Sequence, residues 1–161
     1  YMKPALGLIM LREYILGHER FDRAFRSYIK NWAYKHPQPS DFFNHMENVA
    51  GENLDWFWKG WFYSNANIDL SIEGVYPYGA NYIVVFSNKG EMPMPVNFEV
   101  TYEDGTKEER SLPVEIWFKG NTWQHLLKVD KKVVKVEIDP NKIITDTNAG
   151  NDVWPSSLYK K

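Results

Sequence analysis

The chain contains no cysteine. That removes disulfide scaffolds, zinc–thiolate sites and cysteine nucleophiles as explanations of what it does. Long hydrophobic runs are also missing. The longest apolar stretch, Ala5 to Leu11, is far too short to cross a bilayer. Charge of one sign is scarce as well. The net charge is −2 over 161 residues, which leaves no global field to draw in nucleic acid or an anionic membrane. The four histidines, His18, His36, His45 and His125, include no pair at helical ligand spacing, so they read as surface or structural. His18-Glu19 lacks the second histidine of an H-E-x-x-H motif. There is no Gly-x-Ser-x-Gly elbow and no phosphate loop, and no complete catalytic set is present. The first residues, Tyr1-Met2-Lys3-Pro4, run straight into an apolar helical pattern with no initiator methionine, signal segment or cap. We therefore expect a piece of a longer protein, cut inside a helical domain.

What is present is apolar and aromatic. Hydrophobic residues make up 43% and aromatic residues 16%, enough for one domain or two small ones with real cores. The hydrophobic period changes near residue 65. Before it, the period is helical. Leu6, Ile9, Met10 and Tyr14 mark one face of a first helix that Gly17 can end. Phe21, Ala24, Phe25, Tyr28, Ile29 and Trp32 predict a second helix, which Pro37 and Pro39 stop. A third runs from Asp41 to Ala50 with Ser40 as N-cap and Gly51 behind it. A fourth covers Leu54 to Ser64.

After Asn65 the alternation is two-fold. Strands are predicted at Ile68–Val75, Asn81–Ser87, Val96–Tyr102, Glu108–Pro113, Val114–Phe118, Thr122–Lys128 and Val133–Ile138. Asp104-Gly105 is a tight-hairpin signal. The tail from Asn148 to Lys161 is polar and is expected to be partly loose. The expected fold class is α+β in two parts: an all-α segment over 1–65, then an antiparallel immunoglobulin-like β-sandwich over 66–161. Lys and Arg number eight against seven Asp and Glu in residues 1–65, and eleven against fourteen after them, so neither part is a polyelectrolyte.

Two clusters deserve a chemical reading. The block Trp56-Phe57-Trp58-Lys59-Gly60-Trp61-Phe62-Tyr63 puts rings on several sides of one helix. It reads as a helix wedged between two neighbours, or as an aromatic platform for sugar or peptide groups. Asp139, Asp146-Thr147-Asn148 and Asn151-Asp152 supply oxygen ligands, but they miss the D-x-[DN]-x-[DN]-G calcium pattern and read as turn chemistry.

The order of motifs carries a resemblance. Tyr1-Met2-Lys3-Pro4 is followed by the apolar run Leu8 to Leu11, the turn Leu16-Gly17 and the helix Phe21–Trp32. Then come Tyr34 to Phe43 and the tryptophan-bearing Leu54-Asp55-Trp56-Phe57-Trp58 with Trp61, and a strand-rich region ends at Val136-Glu137-Ile138-Asp139-Pro140. The chain thereby resembles the C-terminal part of the aminopeptidase N-like (gluzincin) zinc metallopeptidases. One departure is Pro4 where many members have glycine, which a first helical turn tolerates.

The resemblance implies that residues 1–65 are the last helices of a catalytic domain and that 66–161 are the β-sandwich behind it. It implies zinc in the parent protein and none in this piece, with the H-E-x-x-H motif and the peptide-binding residues upstream. It carries one catalytic residue, Tyr1, as the phenol that donates to the tetrahedral oxyanion. Lys3 gets no role beyond that of a solvated cation. The piece alone is expected to be inactive, and its helices, having lost partners, to expose apolar surface that drives self-association. No nucleic acid or membrane span is expected, and family habit points to the cell envelope or secretion. The rival reading is a non-catalytic module binding carbohydrate or protein partners through Trp56, Trp61 or Trp123. A second rival is a family member whose upstream half has lost its zinc ligands.

Overall fold

The computed structural model describes residues 2–155. The chain forms two compact units, Tyr1–Asn65 and Ala66–Lys161. The first unit holds four α-helices: α1 (Met2–Met10), α2 (His18–Trp32), α3 (Pro39–Ala50) and α4 (Asp55–Phe62). The second holds strands β1 (Leu70–Tyr78), β2 (Asn81–Asn88), β3 (Val96–Tyr102), β4 (Lys107–Leu112), β5 (Thr122–Leu127), β6 (Val133–Ile138) and β7 (Val153–Trp154). The α+β reading stands: helices come first, then antiparallel sheets.

In the helical unit the buried face of α1 differs from the sequence pattern. Leu6 and Ile9 are exposed, while Gly7, Met10 and Leu11 are inside. Gly7, Met10 and Leu11 are spaced i, i+3, i+4 as one regular helical face, but Gly7 has no side chain to mark it in an apolar pattern. A π-helical turn follows at Leu11–Ile15, closed by Leu16 N–H donating to the Leu11 carbonyl at 2.8 Å. Gly7 lets α4 come close: a Cβ there would sit 3.1 Å from the Trp61 ring. The cap of α3 also lies two residues earlier than expected. Ser40 lies inside the helix, and Gln38 is the cap, its N–H donating to the Asp41 carboxylate at 2.7 Å, with Pro39 in the first turn. Gly51 ends the helix as expected.

The sheet unit contains a three-stranded sheet, β1-β2-β5, and a four-stranded sheet, β4-β3-β6-β7. Every strand pair is antiparallel. The inner residues of β2 and β3 alternate as the sequence suggests, and the Phe86 and Phe98 rings meet with centroids 5.0 Å apart. Asp104-Gly105 turns the chain between β3 and β4. Gly105 takes φ 81° and donates to the Tyr102 carbonyl, and Tyr102 donates to Thr106, the three-residue loop closed by a left-handed glycine. The expected strand Val114–Phe118 is a 3-10 turn, Val114–Trp117. Ile116 N–H donates to the Pro113 carbonyl and Phe118 N–H to the Glu115 carbonyl, the i to i+3 bonds of such a turn, and Ile116 and Trp117 are both buried. The Trp117 indole N–H donates to the Met94 carbonyl at 2.8 Å. Within the tail expected to be partly loose, Val153 and Trp154 pair with Glu137 and Val136 of β6.

Gly90 is where two backbones approach most closely. A Cβ on it would lie 2.5 Å from the Asn67 carbonyl oxygen and 2.7 Å from the Asp69 nitrogen. Both are backbone atoms: the Asn67 carbonyl accepts from the Met92 N–H, and Gly90 itself donates to the Asp69 carbonyl of the same residue whose nitrogen it would crowd. We expect Gly90→Ala to destabilise the sheet unit by about 1–3 kcal/mol, the usual range for overpacking a closed site. Urea unfolding followed by near-ultraviolet circular dichroism measures it, and an unchanged midpoint would show that the strand start relaxes freely.

Candidate functional site

Tyr1, the catalytic residue implied by the sequence, lies outside the described residues. The helix it precedes is firmly held. Lys3, expected to be solvated, instead donates its ammonium to the Ser64 carbonyl just beyond α4. That contact and the Gly7–Trp61 packing tie both ends of the helical unit together.

The aromatic block of α4 is mostly core. Phe57, Trp58 and Trp61 are buried, and only Trp56 and Phe62 are half-exposed, with Tyr63 fully so just after the helix. Trp58 stacks on Phe43 with centroids 4.6 Å apart, and Phe62 meets Phe43 edge-on at 5.1 Å. Trp61 is therefore unavailable as a sugar platform. The Trp58 and Trp61 indole N–H groups are buried and carry no hydrogen bond.

The histidines take structural places. His18 is exposed beside Glu13, and His45 bonds the Ser27 hydroxyl at 3.1 Å. His36 is exposed. His125 turns inward from β5 against Phe98, and burial, with some help from Arg110, holds its pKa below the usual value.

The carboxylates singled out for their oxygen chemistry do come together at one end of the sheets. Asp139 accepts from the Ile144 N–H at 2.8 Å, and Asp146 accepts from Leu70 N–H at 2.8 Å and Asn148 N–H at 2.7 Å. Asp152 is only 2% exposed, and its Oδ1 has no hydrogen-bond partner among the described residues. Burial pushes its carboxyl up to about 7, with nearby Asp146 adding to the effect. Burial also raises Asp146, against the pull of its two N–H donors. Sequence reasoning named these residues but had no signal for their burial, which depends on the return of β7. Among the described residues no group of three or more histidines and carboxylates is placed to hold a metal ion. The described residues therefore do not fit a zinc site. No described helix is long and apolar enough to cross a membrane.

Comparison with known proteins bears on the helical unit first. Residues 1–61 match the family model described as the Peptidase family M1 domain. Two rice proteins (Oryza sativa subsp. japonica), Aminopeptidase M1-D and Aminopeptidase M1-C, are each 44% identical over 52 residues. Those residues are 32% of this chain and 6% of each relative, so the chain spans a small part of the proteins it matches. Among solved structures, Legionella pneumophila aminopeptidase A in complex with aspartic acid matches 86% of this chain and 16% of its own, with a TM-score of 0.59 and 14% identity. That likeness is one of fold. The helical unit is thus similar to the Peptidase family M1 domain and to these aminopeptidases, in line with the resemblance carried by the Tyr1-Met2-Lys3 start and the tryptophan-bearing helix.

Proposed function

We propose that this chain is the C-terminal portion of a zinc-dependent aminopeptidase N-like enzyme that hydrolyses peptide bonds. Residues 1–65 are the closing helices of its catalytic domain, and 66–161 are an immunoglobulin-like β-sandwich behind it. The observation that carries the reading is the Peptidase family M1 match, which covers α1 to α4 as one continuous run. The meeting of Phe86 and Phe98 from two antiparallel sheets supports the sandwich. Zinc, the glutamate base and the peptide-binding groups come from elsewhere in the longer protein. Tyr1 supplies a neutral phenol to the developing oxyanion.

On this reading the chain by itself is inactive. Met2 at 78% and Ile9 at 53% exposure leave apolar surface on α1, which supports self-association when the helices stand without their partners. A peptidase assay with metal analysis tests the proposal. The longer protein is expected to hold one zinc and to release N-terminal residues from peptides, and this chain alone to do neither. A longer protein that binds no zinc and cleaves nothing would replace this reading with that of a non-catalytic relative.

A further inference from the structure

The segment 139–154 is a strap that joins the two sheets at one end. On the three-stranded side, Asn151 accepts from the Ile72 N–H of β1 at 3.0 Å, and its amide donates to Asp69 at 2.9 Å. On the four-stranded side, the Asp152 carbonyl accepts from the Ile138 N–H of β6 at 2.8 Å. Asp152 thus sits at the crossing point. Its side chain is buried, with one oxygen unpartnered among the described residues. Among the described residues the charges facing it are Asp146 and Asp139 of the strap, Asp69 beside β1, and one cation, Lys142. Lys142 is shared with Glu137 of β6, which Lys135 also engages. An ionised Asp152 would be a buried anion among three carboxylates, a costly arrangement that a proton relieves.

We propose that Asp152 is a proton-operated fastener: protonated, it holds the strap across both sheets, and ionised, it lets the strap open. The raised carboxyl pKa is in keeping with this geometry. In the open strap the carboxyl regains its ordinary pKa near 3.9. The closed form binds the proton more tightly, so fastening is complete below about pH 4 and is lost as pH rises through about 7. Above that the effect is flat.

Hydrogen exchange followed by nuclear magnetic resonance tests this on the whole chain, with intrinsic rates divided out. The amides of Ile72 and Ile138 report the strap, and Val100 in the middle of β3 reports global opening. Between pH 5 and 7.5 the opening constant at Ile72 and Ile138 is expected to rise by between about tenfold and a hundredfold, while Val100 stays level. In Asp152→Asn, which copies the protonated state, the rise is expected to shrink below about twofold. A rise that persists in the variant, or that Val100 shares, overturns the fastener. Because the variant could fail to fold, carboxyl carbon chemical shifts of the wild type give a second reading. An Asp152 midpoint near 4 would also overturn the proposal.

Discussion

Replacing Tyr1 with phenylalanine in the longer protein is expected to lower kcat/KM for peptide hydrolysis by about 10²–10³-fold with metal content unchanged. A phenol is neutral at pH 7 and donates one hydrogen bond. That bond strengthens as charge builds on the carbonyl oxygen, so its loss falls on the transition state and less on substrate binding. The effect should appear mainly in kcat, with KM little changed. The helix that Tyr1 precedes is anchored by the Lys3 contact with Ser64 and by Gly7 against Trp61, so the substitution should leave the fold intact. Equal activity of variant and wild type would remove Tyr1 from the mechanism, even if the longer protein proves to be a zinc peptidase.

Phe98→Ala should unfold much of the sheet unit's stability margin. Phe98 is 1% exposed on β3 and meets both the Phe86 ring at 5.0 Å and the His125 ring at 5.8 Å. Truncation of a buried phenylalanine costs about 3–5 kcal/mol, part transfer and part cavity. A domain's whole stability is about 5–15 kcal/mol. Urea titration of the full chain should show the transition of the sheet unit moving sharply down, with the helical far-ultraviolet signal retained. A loss under about 1 kcal/mol would mean that the two sheets do not meet through this ring.

The same two units show how far pattern alone reaches. Helices α2 and α3 and strands β3 and β6 were readable because their apolar residues repeat at 3.6 or 2 and clear punctuation bounds them. The 3-10 turn at Val114–Trp117 was misread because Val114-Glu115-Ile116 alternates like a strand. Only the backbone bonds of Ile116 to Pro113 and of Phe118 to Glu115 reveal the turn, which the buried Trp117 pins by its bond to Met94. The face of α1 was misassigned because Gly7, at its centre, has no apolar side chain to mark it. Strand β7 was missed because a two-residue strand carries no pattern.

By itself the sequence determined that the chain is helical before residue 65 and β-rich after it, that no thiol chemistry is available, and that its motif order resembles that of the aminopeptidase N-like metallopeptidases. Those properties are local or compositional, and local propensity and periodicity suffice to specify them. The tertiary structure decided which aromatic rings are core, that Lys3 is tethered, and that four distant aspartates share one end of the sheets. Burial and the proximity of charges depend on residues up to 82 positions apart, as Asp69 and Asn151 are. A linear pattern carries no term for such contacts until the chain has folded.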